Sequence, residues 1–298
     1  MAARQEPLVL TESVVTVDGV ELLPEGITIT KSTLSDMPAS ADSREGRFGD
    51  TPFFKDMLTL PDEKEYQIPL EKGAMRDRVI AAIAEVRLPV PVAREILDLR
   101  KKSAIVYHHT LATTLLTTRA MFEVNQSDED VRKVIRANLV KDLGMARLPP
   151  ELLKNKDHLT KAEYALIKRH PVTGMVLAYH YFGEGIEAMI AMRHHERRGK
   201  GYPVVAADKP NQVVDLVTTI DIFNALMSPR SFRRESFEVA AAIDELGATA
   251  QRGEIPAWGA KIVAALYRTG DIPLSEIELY SNRKGMMPKD NYYGLTSD

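Results

Sequence analysis

The stretch Val92–Val124, VAREILDLRKKSAIVYHHTLATTLLTTRAMFEV, decides the fold. Its apolar residues recur every three to four positions over more than thirty residues, the period of a helix that buries one stripe against a core. The same spacing runs through MRDRVIAAIAEV before it and DEDVRKVIRANLVKDLG after it. Ser127 precedes the latter as an N-cap, followed by an acidic first turn. Further on, TKAEYALIKRH, PVTGMVLAYHYF, GIEAMIAMRHHE, VVDLVTTIDIFNALM, SFEVAAAIDELGA and PAWGAKIVAALYR continue the pattern. No strand alternates with these helices, which excludes a doubly wound sheet and predicts a mainly α fold, a helical bundle.

Upstream of residue 75 the period changes. In SVVTVDGVELL, Asp18-Gly19 sits between β-branched runs and predicts a hairpin, with GITIT as a further short strand. From Ser35 to Gly73 the chain is rich in Pro, Gly, Ser and charge, which reads as an ordered loop or linker. Three regions are therefore expected: residues 1–75, a small β-containing region of unread role; residues 76–268, the helical domain; and residues 269–298, an aperiodic extension.

Composition narrows the chemistry. The 298 residues hold no cysteine, so thiolate metal sites and disulfides are excluded and any metal must be held by His, Asp or Glu. A net charge of −3 argues against DNA as a partner. Residues 1–75 carry 7 Lys and Arg against 14 Asp and Glu, which leaves the helical part mildly cationic and suited to an anionic ligand. No apolar run reaches bilayer length and the first residues carry no apolar signal core, so neither membrane insertion nor export is expected and the cytoplasm is the expected compartment.

Histidine is scarce, 7 in the chain, yet two stand side by side in HHERRGKGYP, His194–Pro203. Taken singly, His109 reads as a hydrogen-bonded interior residue and His170, before Pro171, as a helix-terminal one favoured by the macrodipole. Taken as a set, His109, Asp142, His170, His194, His195 and Asp221 each fall on or at the end of a predicted helix. Imidazoles and carboxylates projected inward from several helices are what a site for divalent metals requires.

The order of these segments resembles the HD-GYP branch of the HD-domain metal-dependent phosphohydrolases. That family shows an early helical His, an HDIGK motif, an HPxxG segment, HHExxDGxGYP and a late Asp in a stretch like ADVFDALTSDRPYR. Here YHHTLA, KDLGMARLPPELL, LTKAEYALIKRHPVTG, HHERRGKGYP and TIDIFNALMSPRSFRR follow in that order over roughly residues 100–268. The resemblance implies an HD-like helical bundle and a metal-dependent phosphodiesterase acting on cyclic di-GMP. It implies His109, Asp142 and Asp221 as ligands of one metal, with Asp142, the residue placed at the catalytic centre, bridging to a second metal on His170, His194 and His195. Arg230 and Arg233 match the basic pair that grips the dinucleotide phosphate, and Tyr202 the tyrosine that lines the substrate side.

The chain departs from that pattern at the centre. Lys141 stands where the histidine of the His-Asp pair is expected, Met145 replaces the motif lysine, Asn224 replaces a second aspartate, and the signature loop is one residue short. An ammonium offers a metal no lone pair and repels it. Lys141 therefore either pairs with Asp142 and Asp221 in place of a metal or points outward to water. Arg193, Arg197, Arg198 and Lys200 around the signature loop read equally as a solvated rim or as ligand contacts. The expectation is a degenerate protein of cyclic-dinucleotide signalling, a binding or regulatory module with little or no phosphodiesterase activity. One divalent metal (iron, manganese or another) in an incomplete site, or none, would accompany it, with cyclic di-GMP or a related dinucleotide as ligand. Two alternatives stand beside it: an active metal-dependent phosphodiesterase with a rearranged site, and a scaffold that docks a signalling partner such as a diguanylate cyclase.

Overall fold

The computed structural model describes residues 7–153, 159–198, 200–203, 211–228, 236–268, 270 and 272–279. Its first elements are β1 (Val14–Val15) and β2 (Glu21–Leu23), an antiparallel hairpin closed through Gly19 at φ +83°, as the Asp-Gly dipeptide predicts. The GITIT segment forms only a single bridge, Thr28 opposite Val9, rather than a strand. The stretch read as a loop is more ordered than its composition suggests. Following α1 (Lys31–Ser35), it contains β3 (Glu45–Arg47) and α2 (Pro52–Thr59), and β3 pairs with β4 (Arg87–Pro89) beyond α3 (Ala74–Ala84). Phe48, Phe53, Met57, Leu60, Tyr66 and Leu70 from this stretch are buried in the same hydrophobic core as the helices. Tertiary burial of a few large side chains outweighs local turn propensity there.

The helical body follows. The long opening stretch is two helices, not one: α4 (Val90–Lys102) stops at Ser103, whose extended backbone and hydroxyl, accepting from the Val106 amide, cap α5 (Ala104–Glu123). Next come α6 (Asp128–Val140), capped by Ser127 as expected, α7 (Pro150–Leu153), α8 (Lys161–Ile167), α9 (His170–Phe182) and α10 (Ile186–Arg193). A small hairpin of β5 (Glu196–Arg197) and β6 (Lys200–Gly201) precedes α11 (Gln212–Met227), α12 (Val239–Gln251) and α13 (Ala257–Leu266). The fold is thus mainly α, a helical bundle with small β elements, as the sequence implies.

Helix α5 runs through the middle, packed by α3, α4, α6, α11 and α13. Buried nearly all round, it carries threonines where a surface helix would carry charge. The hydroxyls of Thr113, Thr114 and Thr118 donate to carbonyls one turn back, so these polar groups enter the core already satisfied. Behind it, a short 3₁₀ segment, Leu143–Arg147, lies against α9. A Cβ on Gly144 would stand 2.1 Å from the carbonyl oxygen of His170, so only glycine permits this approach. Glu95, fully buried, ties the N-terminal region to the bundle: its carboxylate accepts from Arg147, the Tyr181 hydroxyl (2.9 Å) and the Val17 amide (2.9 Å).

Candidate metal centre

Four helices and one turn bring the predicted residues together. His109 comes from the middle of α5, Asp142 from the turn between α6 and the 3₁₀ segment, His170 from the start of α9, His194 and His195 from the end of α10, and Asp221 from α11. All six lie in one interior cluster. Register decides which of the adjacent histidines turns inward: His109 is 7% exposed, whereas His108 faces outward to Glu63, 3.0 Å away. His170 begins a helix instead of ending one, so the macrodipole there disfavours an imidazolium, opposite to the sign expected for a C-terminal position.

The cluster has two halves. In one, Asp142, His170, His194 and His195 present ligand atoms all within 4.8 Å of one another. The ring hydrogens of two of these histidines are assigned by their neighbours. His170 Nδ1 donates to the Ile167 carbonyl at 2.7 Å, and His194 Nδ1 to the Ala191 carbonyl at 2.9 Å. In the neutral His170 ring Nε2 is then a bare lone pair, and it faces His194 Nε2 at 3.2 Å. Asp142 Oδ1 joins them at 3.4 Å from His194 Nε2 and 3.8 Å from His170 Nε2. Ligands ~2.0–2.1 Å from a shared ion stand ~3.0–3.4 Å apart, which the 3.2 Å and 3.4 Å spacings at His194 Nε2 match. This half fits a divalent cation. Burial, reinforced by His194, pushes the His170 imidazolium pKa down to about 4, and burial takes His195 well below its usual range, so these rings are neutral, as ligands must be. Tyr202 stacks on His195 with ring centres 4.7 Å apart.

The other half does not fit. His109, Asp142 and Asp221 also approach within 4.8 Å, but the oxygens that would face a first cation are engaged by Lys141. Its side chain is fully buried, and its Nζ donates to Asp221 Oδ1 at 2.7 Å and in a short bond to Asp142 Oδ2. Thr110 adds its hydroxyl 3.2 Å from the same Asp142 oxygen. Burial alone would lower the ammonium pKa, but the two carboxylates outweigh it and hold it above the ordinary lysine value. For both aspartates burial pushes upward, and Lys141 overrides it to keep them well below the usual carboxylate range. Of the two orientations open from the sequence, Lys141 takes the inward one. Asp142 still bridges, with Oδ2 on an ammonium and Oδ1 toward the histidines.

Asn224, at 0% exposure, completes this half. Its Nδ2 donates to His109 Nδ1 at 2.8 Å, while its Oδ1 accepts from the Tyr66 hydroxyl at 2.7 Å. Sequence reading missed Tyr66 altogether, because it lies in a stretch without motif or period and meets Asn224 only through the fold. Met145 sits in the 3₁₀ segment and brings no charge. The basic rim is largely committed internally: Arg193 to Glu196 (2.6 Å), Arg198 to Asp215 (3.6 Å) and Lys200 to Glu254 (3.2 Å). Arg230 and Arg233 lie outside the described residues.

Known proteins similar to this chain include phosphodiesterases of cyclic dinucleotides. The curated relatives include the cyclic di-GMP phosphodiesterase response regulator RpfG of Xanthomonas campestris pv. campestris (strain 8004), 35% identical over 138 residues that make up 45% of this chain and 35% of that protein. The 3'3'-cGAMP-specific phosphodiesterase 1 of Vibrio cholerae serotype O1 is 28% identical over 137 residues, 44% of this chain and 31% of that protein. The chain thus spans about a third of the length of these relatives. Among solved structures, the HD domain of the L. monocytogenes phosphodiesterase PgpH in complex with cyclic-di-AMP matches 58% of this chain and 93% of its own at 17% identity and a TM-score of 0.46. No described helix is long and apolar enough to cross a membrane. The HD domain family profile matches residues 91–255, more than half of the chain and all of the cluster, and the chain belongs to that family.

Proposed function

We propose that this chain is a degenerate HD-GYP-like module of cyclic-dinucleotide signalling, binding one divalent cation and an anionic cyclic dinucleotide with little or no phosphodiesterase activity. One observation carries the reading: Lys141 Nζ, fully buried, occupies the position between Asp142 and Asp221 where a first cation would sit. The names of the relatives, phosphodiesterases of cyclic di-GMP and 3'3'-cGAMP, support the ligand class.

Asp142, His170, His194 and His195 would hold the single cation. Bound there, it supplies Lewis-acid polarisation of a phosphoryl group. The protein's own part is positional. The carbonyls of Ile167 and Ala191 orient two ligand rings, and the Tyr202 ring backs His195. Arg230 and Arg233 supply guanidinium groups for the phosphates. Lys141 contributes one fixed positive charge in place of a cation's two, and two of its three hydrogens are spent on the aspartates. It has no coordination position in which to bind and deprotonate a water as a second metal does, which is why catalysis is expected to be weak.

The intact half favours a second reading, a phosphodiesterase working with one metal. Elemental analysis of anaerobically purified protein, followed by titration and hydrolysis assays with cyclic di-GMP and 3'3'-cGAMP, separates them. One metal per chain with dinucleotide binding and no turnover supports the binder. Turnover at one metal per chain supports the enzyme. No metal and no nucleotide binding would overturn both and leave a scaffold.

A further inference from the structure

We infer that Asn224 and Tyr66 are positioning residues that hold His109 as a hydrogen-bond donor, so that the His109, Asp142 and Asp221 half of the cluster is closed to metal by a tautomer lock as well as by the Lys141 ammonium. This rests on the one-cation reading above.

The chain of bonds runs Tyr66 Oη to Asn224 Oδ1 (2.7 Å), Asn224 Nδ2 to His109 Nδ1 (2.8 Å), and His109 Nε2 to Asp221 Oδ1 (2.9 Å). Each end sets the direction independently. Asp221, an ionised carboxylate that already accepts from Lys141, can only accept, so His109 Nε2 must carry the hydrogen. At the other end Tyr66 is 2% exposed and its hydroxyl proton needs an acceptor, which Asn224 Oδ1 provides. The amide is thereby turned with its NH₂ toward His109 Nδ1. Both arguments put the imidazole in the same form, Nε2–H with its lone pair on Nδ1.

In that form His109 has nothing to offer an ion beside Asp221. Its one lone pair already accepts from Asn224, and the nitrogen nearest the carboxylates presents a hydrogen. Reversing the tautomer would set an Nδ1–H against the Asn224 N–H or, were the amide to turn, leave the Tyr66 hydroxyl without its acceptor, in either case in the buried interior. A carboxylate at 224 would do the opposite: one oxygen would keep the Tyr66 bond, the other would accept from Nδ1–H, and Nε2 would be freed as a ligand. Lys141 and Asn224 are therefore two parts of one substitution, and changing only the lysine leaves the second part in force.

The test compares Mn²⁺ binding by Lys141→His, Asn224→Asp and the double variant, by calorimetry and elemental analysis, with circular dichroism to verify folding. Lys141→His alone should take its second ion about 10–100-fold more weakly than the double variant, the usual cost of a wrong partner behind a ligand. If Asn224→Asp does not fold, Tyr66→Phe in the Lys141→His background substitutes for it, since losing that hydroxyl frees the amide to turn. Lys141→His binding two ions as tightly as the double variant would overturn the inference. A readout that needs no metal runs beside it: imidazole ¹⁵N–¹H spectra of the wild-type chain in chelator should show His109 protonated at Nε2 and bare at Nδ1. A proton on Nδ1 there would also overturn it. A wild-type chain that binds no ion yet shows the Nε2–H form would refute the one-cation reading and leave the lock standing.

Discussion

Replacing Lys141 by Met removes the ammonium but keeps most of the side-chain volume, so charge is tested without opening a large cavity. In the wild-type chain the two aspartates and the lysine form a buried triad, with Nζ 2.7 Å from Asp221 Oδ1 and in a short bond to Asp142 Oδ2. Taking one partner from such a group costs about 3–5 kcal/mol, because the others stay buried without compensation. At ~2–4 °C per kcal/mol for domains of this size class, the melting temperature in chelator should fall by roughly 6–20 °C at pH 7.5. The pH dependence identifies the cause. In the wild type both carboxyl groups are held well below 3.8, so their stabilisation is present above the unfolded value and lost only as pH falls through the lower folded values. Lys141 is held above 10.5, so its share is intact throughout the acid and neutral range. In the variant, two facing carboxylates must share a proton, which raises one of them. The folded variant then gains a proton as pH falls from 7.5 to 5, and its deficit should shrink by up to about 1.4 kcal/mol per pH unit. Thermal or urea unfolding of both chains across that range measures the deficit. An unchanged melting temperature, or a deficit independent of pH, would refute the counter-ion role.

Four further outcomes are expected. With Mn²⁺ at 100 times its Kd the wild-type chain should gain about 2.7 kcal/mol of stability, and His170→Ala or His194→Ala should lose that gain together with the ion, as unfolding with and without Mn²⁺ would show. Gly144→Ala forces a methyl to within 2.1 Å of the His170 carbonyl oxygen, so it should destabilise by ~1–3 kcal/mol and weaken metal binding by displacing the start of α9, which paired melting and calorimetry would detect. Glu95→Ala leaves Arg147 with only Asp98 and the Val15 carbonyl and releases Val17 and Tyr181, and should cost ~1–3 kcal/mol by urea unfolding, loosening the N-terminal hairpin first in hydrogen exchange. Arg230→Ala and Arg233→Ala should each weaken cyclic di-GMP binding by about tenfold or more with metal content unchanged, since a charge-assisted contact contributes roughly 1.5–3 kcal/mol.

The sequence alone determined the helical body, the hairpin at Asp18-Gly19, the cap at Ser127 and the identity of the clustered residues. These are properties of near neighbours: a 3.6-residue period, a turn dipeptide and a capping hydroxyl act within one or two turns of chain. The ordered segments around His109, Asp142, His170, His194 and Asp221 were legible for a related reason, because residue types that can ligate a metal are few and their order survives in the string. Short-range signals also had their limit, as at Ser103, where one periodic stretch proved to be two helices, and in residues 35–73, where buried aromatics order what composition reads as linker.

What only the tertiary structure decided is the direction of each polar group. Lysine is most often solvated, and nothing near Lys141 in the chain says that it turns inward; Asp221, 80 residues away, does. Tyr66 reaches Asn224 across 158 residues, and through it selects which nitrogen of His109 holds the hydrogen. Of the rim, which the string leaves open as a solvated face or as ligand contacts, Arg193, Arg198 and Lys200 find carboxylates at Glu196, Asp215 and Glu254. Such choices are made by whichever donor or acceptor the fold brings within reach, most stringently in the buried cluster, where an unpaired charge is costly. They follow from packing between distant segments, and local pattern carries no record of them.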